Sequence, residues 1–335
     1  MVYKYSVLTI PQIRQLHIEL TTRCNARCPI CIRNYRGYEY NSGYPVTELS
    51  LQDIQHICQP SFLRQIDRVL LNGNLGDFGL AHEGPEIVKY LVVQGVDLVE
   101  ISTNGSMRTP EWWASLANPS VVIGFALDGL ADTHSLYRQD TDWNRIIENA
   151  TAYIRAGGRA VWRFIPFDHN RHQEEDCRRL ARELGFEQFE NIYDGRDRGP
   201  VYTRTGEFSH WIGTPGDNPA PIKNLLEHHL TWFDPKTVKN PKDRAELNLT
   251  CEHKRQRELY IAADGTVYPC CYLGFYPTTM YHQGNEQLAQ LVKENNALHY
   301  SLEHCVEWFN QVEESWSRAS IANGRTFQCV NNCGH

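Results

Sequence analysis

The sequence predicts an α/β fold: a parallel sheet curled into an open or partial barrel, then a small hairpin-containing domain. Three observations predict it. Between residues 16 and 195, β-rich runs alternate with helical patterns at roughly thirty-residue spacing, the rhythm of βα units and a parallel sheet. The β-rich runs number six, short of the eight that close a barrel. After residue 250 the alternation stops and a strand–turn–strand pattern replaces it.

The strands are placed at 16–20 (LHIEL), 68–72 (RVLLN), 97–102 (DLVEIS), 121–127 (VVIGFAL), 160–165 (AVWRFI) and 188–193 (QFENIY). The helical patterns between them are "TELSLQDIQHIC", "GPEIVKYLVVQG", "TPEWWASLA", "WNRIIENATAYIRAGG" and "HQEEDCRRLARELG". Several end in glycine, a normal helix stop. Cys58 falls at helical spacing with Leu51 and Ile54, and Cys177 with Leu180, Ala181 and Leu184. Both therefore read as small buried apolar residues. The span 200–250 is rich in Gly, Pro and Thr and poor in periodicity. It reads as a bridge between domains or a loop packed on the barrel mouth, with Tyr202, Phe208 and Trp211 as its anchors or, alternatively, as substrate contacts. "LYIAADGTVYPC" reads as a hairpin with Asp-Gly turn chemistry. The expected divisions are a lead-in at 1–15, the barrel at 16–199, the bridge at 200–250 and the last domain at 251–335.

Composition narrows the classes. Apolar content of 41% with 22% charged residues is that of a soluble globular chain. A formal charge of −7 argues against a nucleic-acid partner. The basic run "HKRQR" at 253–257 is flanked by Glu252 and Glu258 and reads as a solvated face. No segment approaches the ~18 apolar residues of a membrane span, and the N-terminus lacks the apolar stretch of a signal peptide. Eleven cysteines in that setting point to a reducing, cytoplasmic compartment and to metal binding. Cys24, Cys28 and Cys31 cluster near the start, and Cys251, Cys270, Cys271, Cys305, Cys329 and Cys333 lie in the last quarter. The chemistry is therefore expected in two places.

In open parallel sheets, function collects at the C-terminal ends of the strands. "CNARCPIC", residues 24–31, sits there after the first strand. Three thiols so close do not suit a disulfide, and zinc usually takes four ligands in two pairs. The spacing calls for a partner that accepts three thiolates and leaves one position open. The same edge carries "NGNLGDF" (72–78), "STNGS" (102–106) and "DG" (128–129) after strands two, three and four. Singly each is a turn signal; together they point to one ligand pocket.

"IELTTRCNARCPIC" resembles the signature of the radical S-adenosylmethionine (SAM) enzymes, whose fold is a partial (β/α)6 barrel. The resemblance runs through about the first 200 residues. It implies that Cys24, Cys28 and Cys31 hold three irons of a [4Fe–4S] cluster and that SAM chelates the fourth, a setting that suits thiolate chemistry. It implies reductive cleavage of SAM to a 5′-deoxyadenosyl radical, hydrogen-atom abstraction from a substrate, and an electron donor such as flavodoxin or ferredoxin. Gly76 and Asp77 of "GDF" resemble the family's Gly-Glu-Pro loop, which receives the SAM amino group; Asp shortens the reach of the carboxylate, and Phe78 departs from the pattern. Ile30 matches the hydrophobic position near the adenine. Ser102 and Asn104 match the strand-three motif. "FALDGLADTHSLYRQ" resembles a stretch that implies Asp128 near the pocket and Arg138 as partner for the SAM carboxylate, with Ala126 replacing a frequent Ser; Arg138 taken alone reads as a surface salt bridge.

"CEHKRQRELYIAADGTVYPCC" (251–271) resembles the start of the SPASM and twitch domains, which hold auxiliary [4Fe–4S] clusters. A full SPASM domain carries more cysteines, so the single-cluster twitch version fits better. The resemblance implies Cys251, Cys270, Cys329 and Cys333 as ligands, with Cys271 or Cys305 as substitutes and a four-thiolate zinc site as the structural alternative. Relatives place a substrate-facing acid where Cys271 stands, so Cys271 is the candidate catalytic residue, a hydrogen-atom donor; a spare ligand or a packed thiol is the plainer reading. Such relatives modify ribosomally made peptides by epimerisation, oxidation or cross-linking, or modify small molecules. Only about fifteen residues precede strand one, so no fused peptide-recognition domain is expected. An iron–sulfur carrier or sensor without SAM chemistry leaves the three loops without a purpose.

Overall fold

The computed structural model describes residues 8–38, 46–193, 199–213, 219, 221–222, 243, 247–274 and 294–334. Six parallel strands lie side by side in chain order: β1 (Gln15–Ile18), β2 (Arg68–Leu71), β3 (Leu98–Thr103), β4 (Val121–Ala126), β5 (Arg159–Phe164) and β6 (Gln188–Asn191). Between them run α1 (Leu51–Ile57), α2 (Pro60–Leu63), α3 (Gly84–Val93), α4 (Pro110–Ala114), α5 (His134–Tyr137), α6 (Trp143–Arg155) and α7 (Glu174–Leu184). Local chemistry sets their ends. Ser50 and Asp53 cap α1 reciprocally, Asp142 caps α6, and Gly185 ends α7 in the left-handed conformation.

One face of the sheet is apolar. Leu16, Ile18, Val69, Val99, Ile101 and Ile123 bury against Ile54, Ile87, Leu91, Trp113 and Ile146 of the helices. Each such side chain stabilises the fold by roughly 1.5–3 kcal/mol relative to exposure. Cys58 and Cys177 are fully buried in the same core, as expected.

The opposite face carries charge. Arg68 Nη2 lies 2.6 Å from Glu100, Arg163 bonds the other oxygen of Glu100, and Arg163 Nε reaches Glu190 at 3.2 Å. This row crosses β2, β3, β5 and β6. Arg163 can pass over β4 because residue 124 is glycine: a Cβ there would stand 2.7 Å from the guanidinium carbon.

The structure departs from the sequence reading in two ways. The span expected to be irregular contains an antiparallel pair, β7 (Gly199–Tyr202) and β8 (Phe208–Ile212). Its strands are too short to show periodicity. Tyr202 is buried and Trp211 half-buried, while Phe208 is exposed and anchors nothing in the core. Secondly, the C-terminal hairpin is not a separate body. After α8 (Glu252–Arg255), β9 (Glu258–Ile261) turns through Gly265 (φ +84°) into β10 (Val267–Tyr268). β9 also pairs in parallel with β1, Gln15 opposite Glu258 and Ile18 opposite Ile261. One sheet therefore runs β10-β9-β1-β2-β3-β4-β5-β6. The short helices α9 (Cys271–Gly274), α10 (Leu302–Val306), α11 (Phe309–Ser315) and α12 (Phe327–Cys333) follow it. Among the described residues, no helix is long and apolar enough to cross a membrane.

Candidate functional site

The chain leaves β1 through Glu19 and enters the cysteine loop. Consecutive turns shape it: Cys31 N donates to Cys28 O at 2.9 Å and Asn34 N to Cys31 O at 3.1 Å. Asn34 Nδ2 holds Cys28 O at 2.9 Å. Cys28 is buried, and Cys24 and Cys31 are half-buried. Beneath them, Ile30 and Cys28 pack with Tyr137, Ile165 and Phe167 and with Val201 and Ile212 of the β7–β8 hairpin. The unforeseen hairpin thus supports the loop.

The loops after β3 and β4 reach the same thiols. Asn104 Nδ2 lies 3.9 Å from Cys24 Sγ and donates to Asn25 Oδ1 at 3.0 Å. Arg138 Nη1 lies 3.7 Å from Cys28 Sγ, while its Nε donates to Asp128 Oδ2 at 2.6 Å. Asp128 is fully buried and is itself fixed by Ile165 N, which donates to Oδ1 at 2.6 Å. His134 accepts from Asp128 N at Nδ1, and burial lowers its pKa to about 3. Ser102 is half-buried on the face of β3 that carries Glu100.

The loop after β2 completes the mouth. Both Asp77 oxygens accept protein donors: Thr103 Oγ1 at 2.7 Å, Gly79 N at 2.9 Å and Asn104 N at 2.7 Å. Asp77 therefore ties the "GDF" loop to the strand-three loop. Gly76 is forced by space, since a Cβ would overlap the Thr21 carbonyl at 1.6 Å.

The second thiol set also converges. Cys251, Cys270, Cys329 and Cys333 line one cavity, with Leu273, Phe309 and Val312 as apolar wall and Lys254, Glu258 and Glu313 as charged members. Lys254 bonds both Glu313 oxygens at 2.7 Å. Cys271 and Cys305 are not in that lining. Cys305 is fully buried in the main core. Cys271 is half-buried, and its carbonyl accepts from Asn74 Nδ2 at 2.8 Å. Among the described residues, no three His, Cys, Asp or Glu are arranged around a single metal ion.

Residues 18–184 match the family model of the Radical SAM superfamily. The chain carries a radical SAM domain. Two groups of solved structures share the fold. The structure of Streptococcus suis SuiB bound to S-adenosylmethionine aligns with a TM-score of 0.53 at 14% identity, over 94% of this chain and 76% of that one. SuiB bound to the precursor peptide SuiA gives 0.51 at 14% identity, over 94% and 75%. A histidine-tagged form of anSMEcpe with bound AdoMet gives 0.51 at 17% identity, over 88% and 77%. No curated protein sequence matches the chain significantly.

The residues present fit the cluster that a radical SAM domain implies. Burial first, then the charge of Asp77 and the two neighbouring thiols, pushes the Cys24 thiol up. Burial likewise pushes Cys270 and Cys329 up, with other thiols of their set adding to it. Buried thiols that oppose one another's ionisation need a bound cationic group before they become thiolates. The iron of a [4Fe–4S] cluster would supply that charge at Cys24, Cys28 and Cys31.

The sequence reading missed Glu19 and Tyr260. Glu19 Oε1 accepts from Leu75 N at 2.7 Å and Gly76 N at 2.8 Å, and Oε2 accepts from Tyr260 Oη at 2.8 Å. A carboxylate inside the strand-like run "LHIEL" was a visible signal for Glu19. Nothing local marked Tyr260, whose role depends on the pairing of β9 with β1.

Proposed function

We propose that this protein is a radical SAM enzyme with an auxiliary iron–sulfur centre that removes a hydrogen atom from a ribosomally made peptide. The carrying observation is the convergence at the barrel mouth, where Asn104 and Arg138 reach Cys24 and Cys28 while the loop after β2 closes the third side. When bound to the cluster held by Cys24, Cys28 and Cys31, SAM supplies a 5′-deoxyadenosyl radical. Ile30 offers the adenine an apolar wall, and Gly76, Asp77, Ser102, Asn104, Asp128 and Arg138 orient the rest of the cofactor. Cys251, Cys270, Cys329 and Cys333 hold the second cluster. For the substrate, support comes from the fold shared with SuiB, whose structure was solved with a precursor peptide.

Cys271 gives the reaction its direction. Burial first, then the charge of Glu258, pushes its thiol up to about 12, so it keeps its hydrogen at neutral pH. That S–H bond gives a hydrogen atom to the substrate carbon radical: a C–H bond forms, the S–H bond breaks, and a thiyl radical stays on Cys271. One electron from a flavodoxin- or ferredoxin-type donor and one proton from solvent restore the thiol. The substrate gains no net oxidation, and epimerisation is the simplest product.

The test is anaerobic reconstitution with iron and sulfide, reduction, and incubation with SAM and short peptides encoded beside the gene. The proposal expects 5′-deoxyadenosine and a peptide of unchanged mass with one inverted centre. Intact SAM would remove the enzymatic reading. SAM cleavage coupled to a small molecule and never to a peptide would replace the substrate.

A further inference from the structure

The loop that follows β2 lies between the two thiol sites, and both ends of the chain hold it. Gly73 lets the loop close tightly on itself, since a Cβ there would stand 2.4 Å from the Gly76 carbonyl. Toward the cysteine loop, Asp77 N donates to Arg23 O at 2.8 Å. Toward the C-terminal hairpin, there are two further ties. Asn74 Nδ2 donates to Cys271 O at 2.8 Å. The Leu75 and Gly76 amides share Glu19 Oε1, while Tyr260 of β9 donates to Glu19 Oε2. Glu19 and Tyr260 are both almost fully shielded from solvent.

Tyr260 is itself fixed by the elements that form the second site. Its ring meets His17 edge-on at 4.9 Å. Gly274, at the end of α9, lies so close that a Cβ there would reach the ring at 2.2 Å. The strand that carries Tyr260 leads through β10 to Cys270, and α9 starts at Cys271.

We infer that Glu19 and Tyr260 are positioning residues through which the C-terminal hairpin sets the SAM-binding loop, so that SAM affinity depends on the integrity of the second thiol site. This rests on the functional reading above. The physical cause is local. A buried carboxylate oxygen deprived of its donor is costly to leave unsatisfied, so Glu19 turns or draws in water when Tyr260 withdraws. Either response moves the acceptor shared by the Leu75 and Gly76 amides. Coupling of this kind is reciprocal: SAM binding must steady the hairpin by the factor that the hairpin contributes to SAM binding.

The test measures SAM affinity by equilibrium dialysis on anaerobically reconstituted full-length protein, with iron content and thermal melting measured on the same samples. Tyr260→Phe removes one hydroxyl and keeps the ring against Gly274. It is expected to raise the SAM dissociation constant about tenfold while iron content stays at the wild-type value. Glu19→Gln keeps an oxygen for the two amides and turns an amide group to Tyr260, and is expected to restrict the rise to about twofold. Asn74→Ala tests the other tie without touching the buried pair and is expected to weaken SAM binding by about threefold. Should Tyr260→Phe lose iron or fold poorly, Glu19→Gln decides for the buried pair and Asn74→Ala for the second tie. Unchanged SAM affinity in the folded variants overturns the inference while wild-type binding leaves the functional reading standing. Wild-type protein that binds no SAM removes both.

Discussion

Asp128 holds Arg138 in place: Oδ2 of the fully buried carboxylate accepts from the guanidinium Nε at 2.6 Å, and this aims Nη1 at Cys28 Sγ 3.7 Å away. The pair has two separable duties, keeping a buried charge compensated and presenting a cation at the cluster loop.

Those duties predict different outcomes for single and double substitutions. Arg138→Gln strands the Asp128 carboxylate and should destabilise the fold by about 3–5 kcal/mol, as breaking a buried pair does. Adding Asp128→Asn should return most of the lost melting temperature. SAM binding should stay about 10–100-fold weaker in both if, as proposed, Arg138 donates to the SAM carboxylate. If the double variant binds SAM normally, Arg138 only supports the fold.

Metal content separates the two thiol sets. Reconstituted wild-type protein is expected to carry about eight irons, two cubanes of about four each. The Cys24→Ala/Cys28→Ala/Cys31→Ala variant should stay folded on its barrel core, retain about four irons and cleave no SAM. Replacing Cys251, Cys270, Cys329 and Cys333 should remove the complementary four irons. Zinc in the C-terminal set, or about twelve irons in all, would contradict the twitch-type arrangement.

Cys271→Ala should still produce 5′-deoxyadenosine and still break the substrate C–H bond, yet fail to give the normal product. In deuterated water the wild-type product should gain one deuterium, since thiol hydrogens exchange with solvent. Unchanged product from the alanine variant would assign Cys271 to packing and favour oxidation or cross-linking.

Acid should weaken the fold through His134. Burial lowers its folded pKa to about 3, against 6.5 for the ordinary group. Below about pH 6.5 the unfolded chain takes up a proton that the folded one refuses, so this contribution is complete above that pH and declines toward pH 3. The slope is at most about 1.4 kcal/mol per pH unit. Burial raises Glu19 and Asp77, which acts in the opposite sense. The His134 share is therefore read by difference: His134→Asn should flatten the fall in melting temperature between pH 7 and pH 5. An identical fall in both proteins would show that His134 does not contribute.

The six barrel strands were legible because each pairs with a neighbour in chain order and most show one apolar face, as in Val69 and Leu71 or Val99 and Ile101. The cysteine loop was legible because its chemistry lies within eight residues of sequence, "CNARCPIC". The role of Glu19 was hidden, since its partner Tyr260 is 241 residues away. The charged row was hidden for a similar reason. Arg68, Glu100, Arg163 and Glu190 look like polar residues on a solvated face until the sheet aligns them over Gly124.

The pairing of β9 with β1 also changes what counts as a removable part of this molecule. Cutting the chain after residue 199 keeps all six barrel strands, yet it would strip β1 of one whole row of partners. Gln15 to Ile18 would then present unpaired amides and carbonyls along a raw strand border, the kind of border on which chains stack into aggregates. A barrel fragment made for crystallisation or for transplantation into another enzyme should therefore include β9, and a fragment lacking it is expected to precipitate as it is expressed.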